Sequence, residues 1–131
     1  MPRAECRIDA LMGKTITEII GMEPGSGEIT FQCSGGKRYL MFHDQCCCES
    51  VIVEDVCGDV DDLIGCPILH AEEVVSERCE TPNGVTTPTN CYDYTWTFYK
   101  FATQNGYVTL RWFGESNGYY SESVDFCELI F

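Results

Sequence analysis

Residues 92–112 constrain this chain more tightly than any other stretch. From Tyr92 to Phe101, an extended strand would carry Tyr92, Tyr94, Trp96 and Phe98 on one face and Asp93, Thr95 and Thr97 on the other. The hairpin dipeptide Asn105-Gly106 follows. Val108, Leu110 and Trp112 then alternate with Tyr107, Thr109 and Arg111. A period of two in two successive segments, joined by a turn, predicts a β-hairpin and does not suit a helix. On alternating strands the aromatic run Tyr94, Trp96, Phe98 and Trp112 is expected to form core. Its alternative use is as a platform on which a base or sugar stacks.

The rest of the chain reads the same way. Thr15–Ile20, Glu28–Cys33 and Arg38–Phe42 are β-favouring runs, separated by the turn signals Pro24-Gly25-Ser26-Gly27 and Gly35-Gly36, and they predict an N-terminal meander. Val51–Val56 is a further strand, and Pro67 opens an extended run through Ile68, Leu69, His70, Val74 and Val75. Asp59 to Ile64 is the one helical turn, with Asp59 to cap it and Gly65 to stop it. Asn117-Gly118 turns the chain into Tyr119–Phe126, which is expected to complete a C-terminal three-stranded meander. The expected fold is mainly β (α+β at most): a small single-domain twisted antiparallel sheet over residues 1–131, barrel- or sandwich-like, with one short helix near 59–64. The polar loop at 80–91 divides the N-terminal strands from the C-terminal meander.

Charge narrows the partners. The chain has 131 residues and a formal net charge of −13. Counting along it, residues 1–40 hold 5 acids and 5 bases, residues 41–90 hold 11 acids and Arg78, and residues 91–131 hold 5 acids, Lys100 and Arg111. The middle segment therefore carries −10 of the total. Direct binding to nucleic acid is not expected, because phosphate contact needs clustered Lys and Arg. Glu54, Asp55, Asp59, Asp61, Asp62, Glu72 and Glu73 are instead the candidate residues for docking a basic partner; the plainer reading is a solvated face. No run approaches a membrane span, and Met1 to Cys6 lacks the apolar stretch of a secretory signal, which predicts a cytoplasmic location.

Ten cysteines would suggest a disulfide framework in a secreted chain, but Cys46-Cys47-Cys48 are adjacent and form no simple framework. Free thiols are the expected state, with Cys33 a small core hydrophobe; one plausible bridge is Cys79 to Cys91. His43, Cys47 and Cys48 are weak candidates for a metal site, since paired CxxC spacing is absent. A thiol nucleophile beside His43 is also weak, because surrounding acids raise a thiol pKa. Arg111 with Glu115, Asn117, Tyr119 and Tyr120 could hold a small anionic, nucleotide-like ligand, although Arg111 is more simply paired with Glu122 across the hairpin. No P-loop, dinucleotide fingerprint, serine elbow or HExxH occurs, so no cofactor is expected.

Several blocks carry a resemblance: His43-Asp44-Gln45 with Cys47-Cys48-Glu49-Ser50-Val51, Glu54-Asp55-Val56-Cys57-Gly58-Asp59, and Asp62-Leu63-Ile64-Gly65 with Pro67-Ile68. Trp96–Lys100 and Arg111–Ser121 are the others. Over roughly residues 13–128 the chain is similar to a family of small proteins of tailed bacteriophages and prophages, classed as a domain of unknown function. Cys46 departs from that pattern, where an acid is expected. The resemblance implies viral origin and action in the bacterial host cytoplasm, and it brings no catalytic residue. The function expected from these features is a non-enzymatic phage accessory protein that binds a basic host protein, as an acidic inhibitor of an antiviral defence system would. The alternatives are a small-ligand binder around Arg111 and a Cys/His metal protein. Exposed strand edges also leave a homodimer open.

Overall fold

The computed structural model describes residues 3–77, 93–116 and 121–130. Among the described residues nine strands form two antiparallel sheets: β1 Arg3–Glu5, β2 Ile16–Ile20, β3 Glu28–Cys33, β4 Arg38–Phe42, β5 Ser50–Cys57, β6 His70–Glu77, β7 Asp93–Thr103, β8 Gly106–Ser116 and β9 Asp125–Leu129. The first sheet has the order β1-β9-β4-β3-β2 and the second the order β5-β8-β7-β6. The sheets face each other across a shared core containing Ile29, Phe31, Tyr39 and Met41 from one, and Val53, Tyr99, Phe101, Leu110 and Trp112 from the other. Phe31 joins them, with its ring 6.0 Å from Phe101 and 6.1 Å from Phe126. The fold is mainly β, and of the two expected forms it is the sandwich.

Local sequence accounts for most elements. Alternation places Ile29, Phe31 and Cys33 inward on β3, and Gly35 and Gly36 turn the chain into β4 with φ of 84° and 85°, a region that side-chain-bearing residues avoid. Val60–Leu63 forms a 3-10 turn whose Asp59 side chain accepts the Asp61 N–H at 3.0 Å, as expected of a cap. Leu63 buries its side chain beneath it.

Three expectations are corrected. Opposite to Tyr94, Trp96 and Phe98, of which Trp96 is itself fully buried as expected, the face of β7 turned to the other sheet carries Thr97, Tyr99, Phe101 and Thr103. These face the core with Val108, Leu110 and Trp112 of β8, whereas Trp96 turns to the other face, with its ring centroid 4.5 Å from that of Phe113. The β7–β8 loop is Gln104-Asn105, with Gly106 already paired to Thr103. Thr103 Oγ1 accepts the Asn105 N–H at 3.2 Å, and no described non-glycine residue has positive φ, so this is not the expected turn centred on Asn105-Gly106. Finally, the third strand of the C-terminal meander is β6, not Tyr119–Phe126. After residue 124 the chain crosses to the other sheet, where β9 inserts between β1 and β4. Buried Phe126 on β9 stacks on Tyr39 at 5.5 Å, which rewards that crossing.

Candidate functional site

Between β4 and β5, the unusual His43-to-Glu49 segment folds around one carboxylate. Glu49 accepts hydrogen bonds from His43 Nε2 at 2.7 Å, from the Cys46 N–H at 2.9 Å and from the Cys47 N–H at 2.9 Å. The side chains of His43 and Glu49 are only 4% and 0% exposed. The other ring nitrogen of His43, Nδ1, lies 2.7 Å from the Ser123 carbonyl. Carbonyl and carboxylate can only accept, so each His43 ring nitrogen faces an acceptor. Asp125 Oδ2 accepts the Asp44 N–H at 2.9 Å, and Gln45 Nε2 donates to the Cys47 carbonyl at 3.2 Å. The loop is thereby tied to the segment that leads into β9.

The His43 bond, with the two backbone N–H donors, holds the Glu49 carboxyl down at about 2, against the effect of burial. Its proton affinity is therefore lower folded than unfolded. The stability it contributes is present above the ordinary carboxylate range near ~4.3 and is lost as pH falls from there to about 2. Acid unfolding followed by tryptophan fluorescence should show this loss in the natural chain. In Glu49→Gln it should be missing from that window; superimposable acid profiles would contradict the assignment.

The thiols beside it are not aimed at His43. Cys46, Cys47 and Cys48 are exposed, and both His43 nitrogens are committed to oxygen acceptors. The hydrogen bond with Cys47 pushes the Cys48 thiol up, away from the thiolate form a nucleophile needs. Burial does the same for Cys6, Cys33 and Cys127. All eight described cysteines are free thiols, and Cys33 is buried in the core as expected. The expected bridge between Cys79 and Cys91 lies outside the described residues. Among the described residues no three His, Cys, Asp or Glu side chains are grouped to hold one ion.

Arg111 is committed as well. Its Nε donates to Glu54, its second terminal nitrogen lies 3.6 Å from Asp55, and its guanidinium sits 5.6 Å from the Trp96 ring centroid. The expected pair with Glu122 is corrected: Glu122 instead accepts from Thr95 Oγ1 at 2.7 Å and from Ser116 Oγ. The neighbouring Gly114 makes that possible, since a Cβ there would lie 2.8 Å from the Glu122 carbonyl oxygen. Glu115 pairs with Tyr94 across the ladder. Asn117, Tyr119 and Tyr120 lie outside the described residues.

The seven candidate docking acids are divided rather than contiguous. Glu54 and Asp55 are on β5, Glu72 and Glu73 on β6, and those strands are opposite edges of the four-stranded sheet. Asp59, Asp61 and Asp62 belong to the 3-10 turn, which packs against β7 and β8. Glu72 pairs with His70 at 3.0 Å. Glu73 accepts the Tyr99 hydroxyl at 2.6 Å; burial, then that bond, raises the tyrosine far above its ordinary range.

Glu72 and Glu73 meet acids that are distant in the chain. A groove of about 630 Å³ is lined by Glu5, Asp9, Glu72, Glu73 and Asp125, with Arg7 the one base on its walls among the described residues. Ile8, Ala71, Val124 and Phe126 form its apolar part. Only Glu72 and Glu73 of this set stood out in the sequence. Nothing local marks Glu5, Asp9 or Asp125 as their neighbours.

These features define a small two-sheet antiparallel β-sandwich with an acidic groove and a carboxylate-centred loop. The chain belongs to the domain of unknown function family DUF7448, whose model matches residues 9–126. No curated protein and no solved structure matches it. No helix among the described residues is long and apolar enough to cross a membrane.

Proposed function

We propose that the chain is a non-enzymatic accessory protein of a tailed bacteriophage or prophage, acting in the host cytoplasm by docking its acidic side on a basic host protein. The observation that carries this reading is the groove with five carboxylates and one guanidinium on its walls. Such a wall presents fixed negative charge with the sign, though not the spacing, of a phosphate backbone. The partner class it suits is a nucleic-acid-binding protein, including those used in antiviral defence. The likeness to phage proteins supports the origin, and the commitment of His43 and Arg111 to structural partners supports a binding role over catalysis.

The test is capture of basic nucleic-acid-binding proteins from bacterial lysate on the immobilised chain, repeated with Asp9→Lys/Glu72→Lys. The expected partner is retained at low salt, released as screening rises above about 0.15 M, lost with the double reversal, and displaced by excess duplex DNA. Retention that ignores both salt and charge reversal would overturn the reading.

A further inference from the structure

Among the described residues the two sides of the sandwich are finished differently. On one side the turn between β2 and β3 pairs with Val53 on the outer edge of β5. The Gly25 N–H donates to the Val53 carbonyl at 2.8 Å, and the Val53 N–H donates to the Ser26 carbonyl at 2.8 Å. On the other side β6 is the last strand of its sheet. Beyond its ladder with β7, no backbone group of His70–Glu77 has a backbone partner among the described residues. The acidic groove runs beside this strand, with Ala71, Glu72 and Glu73 as one wall and Glu5 to Asp9 and Val124 to Phe126 as the other.

We propose that the free edge of β6 accepts an extended basic segment of the partner as an added strand, whose Lys or Arg side chains enter the groove. The inference rests on the basic-partner reading and specifies how that partner is held. The 3-10 turn Ile8–Leu11 packs against β6, so the strand's eight residues, about 27 Å of main chain, are an upper bound on the length that can pair. Main-chain bonds would supply affinity, and alternate side chains of the added strand would point between the sheets. There they meet Glu73, whose carboxylate is held in place by the Tyr99 hydroxyl, and Asp125. Arg7 on the opposite wall is outnumbered by Glu5 and Asp9 on its own segment.

Charge also decides against a second copy as the occupant. Pairing β6 with β6 would bring Glu72 and Glu73 of both chains into one seam, and like charges across a ladder are destabilising. An acidic edge thus rejects its own kind and admits a basic strand, which is specificity by repulsion as well as attraction.

The experiment uses the full chain and a synthetic peptide of alternating lysine and valine as long as β6. Two control peptides replace lysine by glutamate or N-methylate alternate amides, which keeps the charge but blocks pairing. Binding is measured by fluorescence anisotropy, and amide hydrogen exchange is mapped along the chain. Slowed exchange within His70–Glu77 is expected, with affinity weakened about tenfold or more by N-methylation and by Glu5→Lys/Asp9→Lys. Asp61→Lys, on the 3-10 turn, should change it less than about twofold.

Equal binding of the N-methylated peptide, or protection centred on Val60–Leu63, would overturn the β6 mode and leave the basic-partner reading standing. Protection of β6 that grows with protein concentration and no peptide would overturn it in favour of self-association. Failure of the lysate capture to return any salt-sensitive basic protein would instead take down the underlying reading.

Discussion

Replacing Glu49 with alanine should lower the melting temperature by on the order of 10 °C. Three donors converge on that one carboxylate: the His43 ring and the Cys46 and Cys47 N–H groups. Truncation leaves the His43 ring and two backbone N–H groups without their acceptor, which is the costly way to break a buried cluster. The loss spreads, because His43 also ties the loop to the Ser123 carbonyl. Loosening it frees the approach to β9, a strand inside the five-stranded sheet. Cys47→Ser is the matched control, since it keeps the Cys47 N–H and alters only an exposed thiol. Circular dichroism melts of the two variants decide the matter. A Glu49→Ala shift no larger than that of Cys47→Ser would mean the carboxylate does not organise the loop.

Phe31→Ala should cost about 3–5 kcal/mol, the usual range for emptying a buried aromatic site. Phe31 is fully buried on β3 and lies within ring contact of Phe101 on β7 and Phe126 on β9. It therefore touches the opposite sheet and the strand that arrives last, and neither can collapse into its space without leaving its own ladder. Ile20→Ala, at a side chain 53% exposed on β2, should change stability by less than about 0.5 kcal/mol. Urea unfolding of both gives the comparison. Equal midpoints would show that the sheets are not joined through Phe31.

Sequence reading succeeded where one residue's neighbours along the chain decide its structure. The limits of β3 and β4 agree with expectation, because glycine turns bound β3 at both ends and open β4. The short helix at 59–64 was legible from its cap. The face of β7 that meets the other sheet was not, because Tyr94, Trp96 and Phe98 on one side compete with Tyr99 and Phe101 on the other, and Trp96 is buried as well. A period of two cannot rank two aromatic faces; only the strands on either side do. Three-residue β1 carries no pattern of its own and becomes a strand by pairing with β9.

In the sequence the His43–Glu49 loop is an oddity whose adjacent thiols are more conspicuous than the acid at its end. A usable signal existed: an acid three residues after Cys46 can fold back on the intervening N–H groups, as side-chain acceptors do at caps and turns. The groove could not have been found this way. Its carboxylates come from three segments separated by about half the chain each, and only the sandwich brings them together.

The central place of β9 also sets the order in which the chain can fold. Its neighbours are β1, from the opposite end of the chain, and β4, more than eighty residues earlier. Each pairing must close a long loop before any ladder bond repays it, the arrangement associated with slow folding. β2, β3 and β4 can assemble as soon as they are made, as can β7 and β8. The five-stranded sheet then waits with the inner flank of β4 unpaired. Until β9 fills that gap, the folding chain exposes a flank of β4 whose N–H and C=O groups lack ladder partners, and pairing with β9 is the event that removes it.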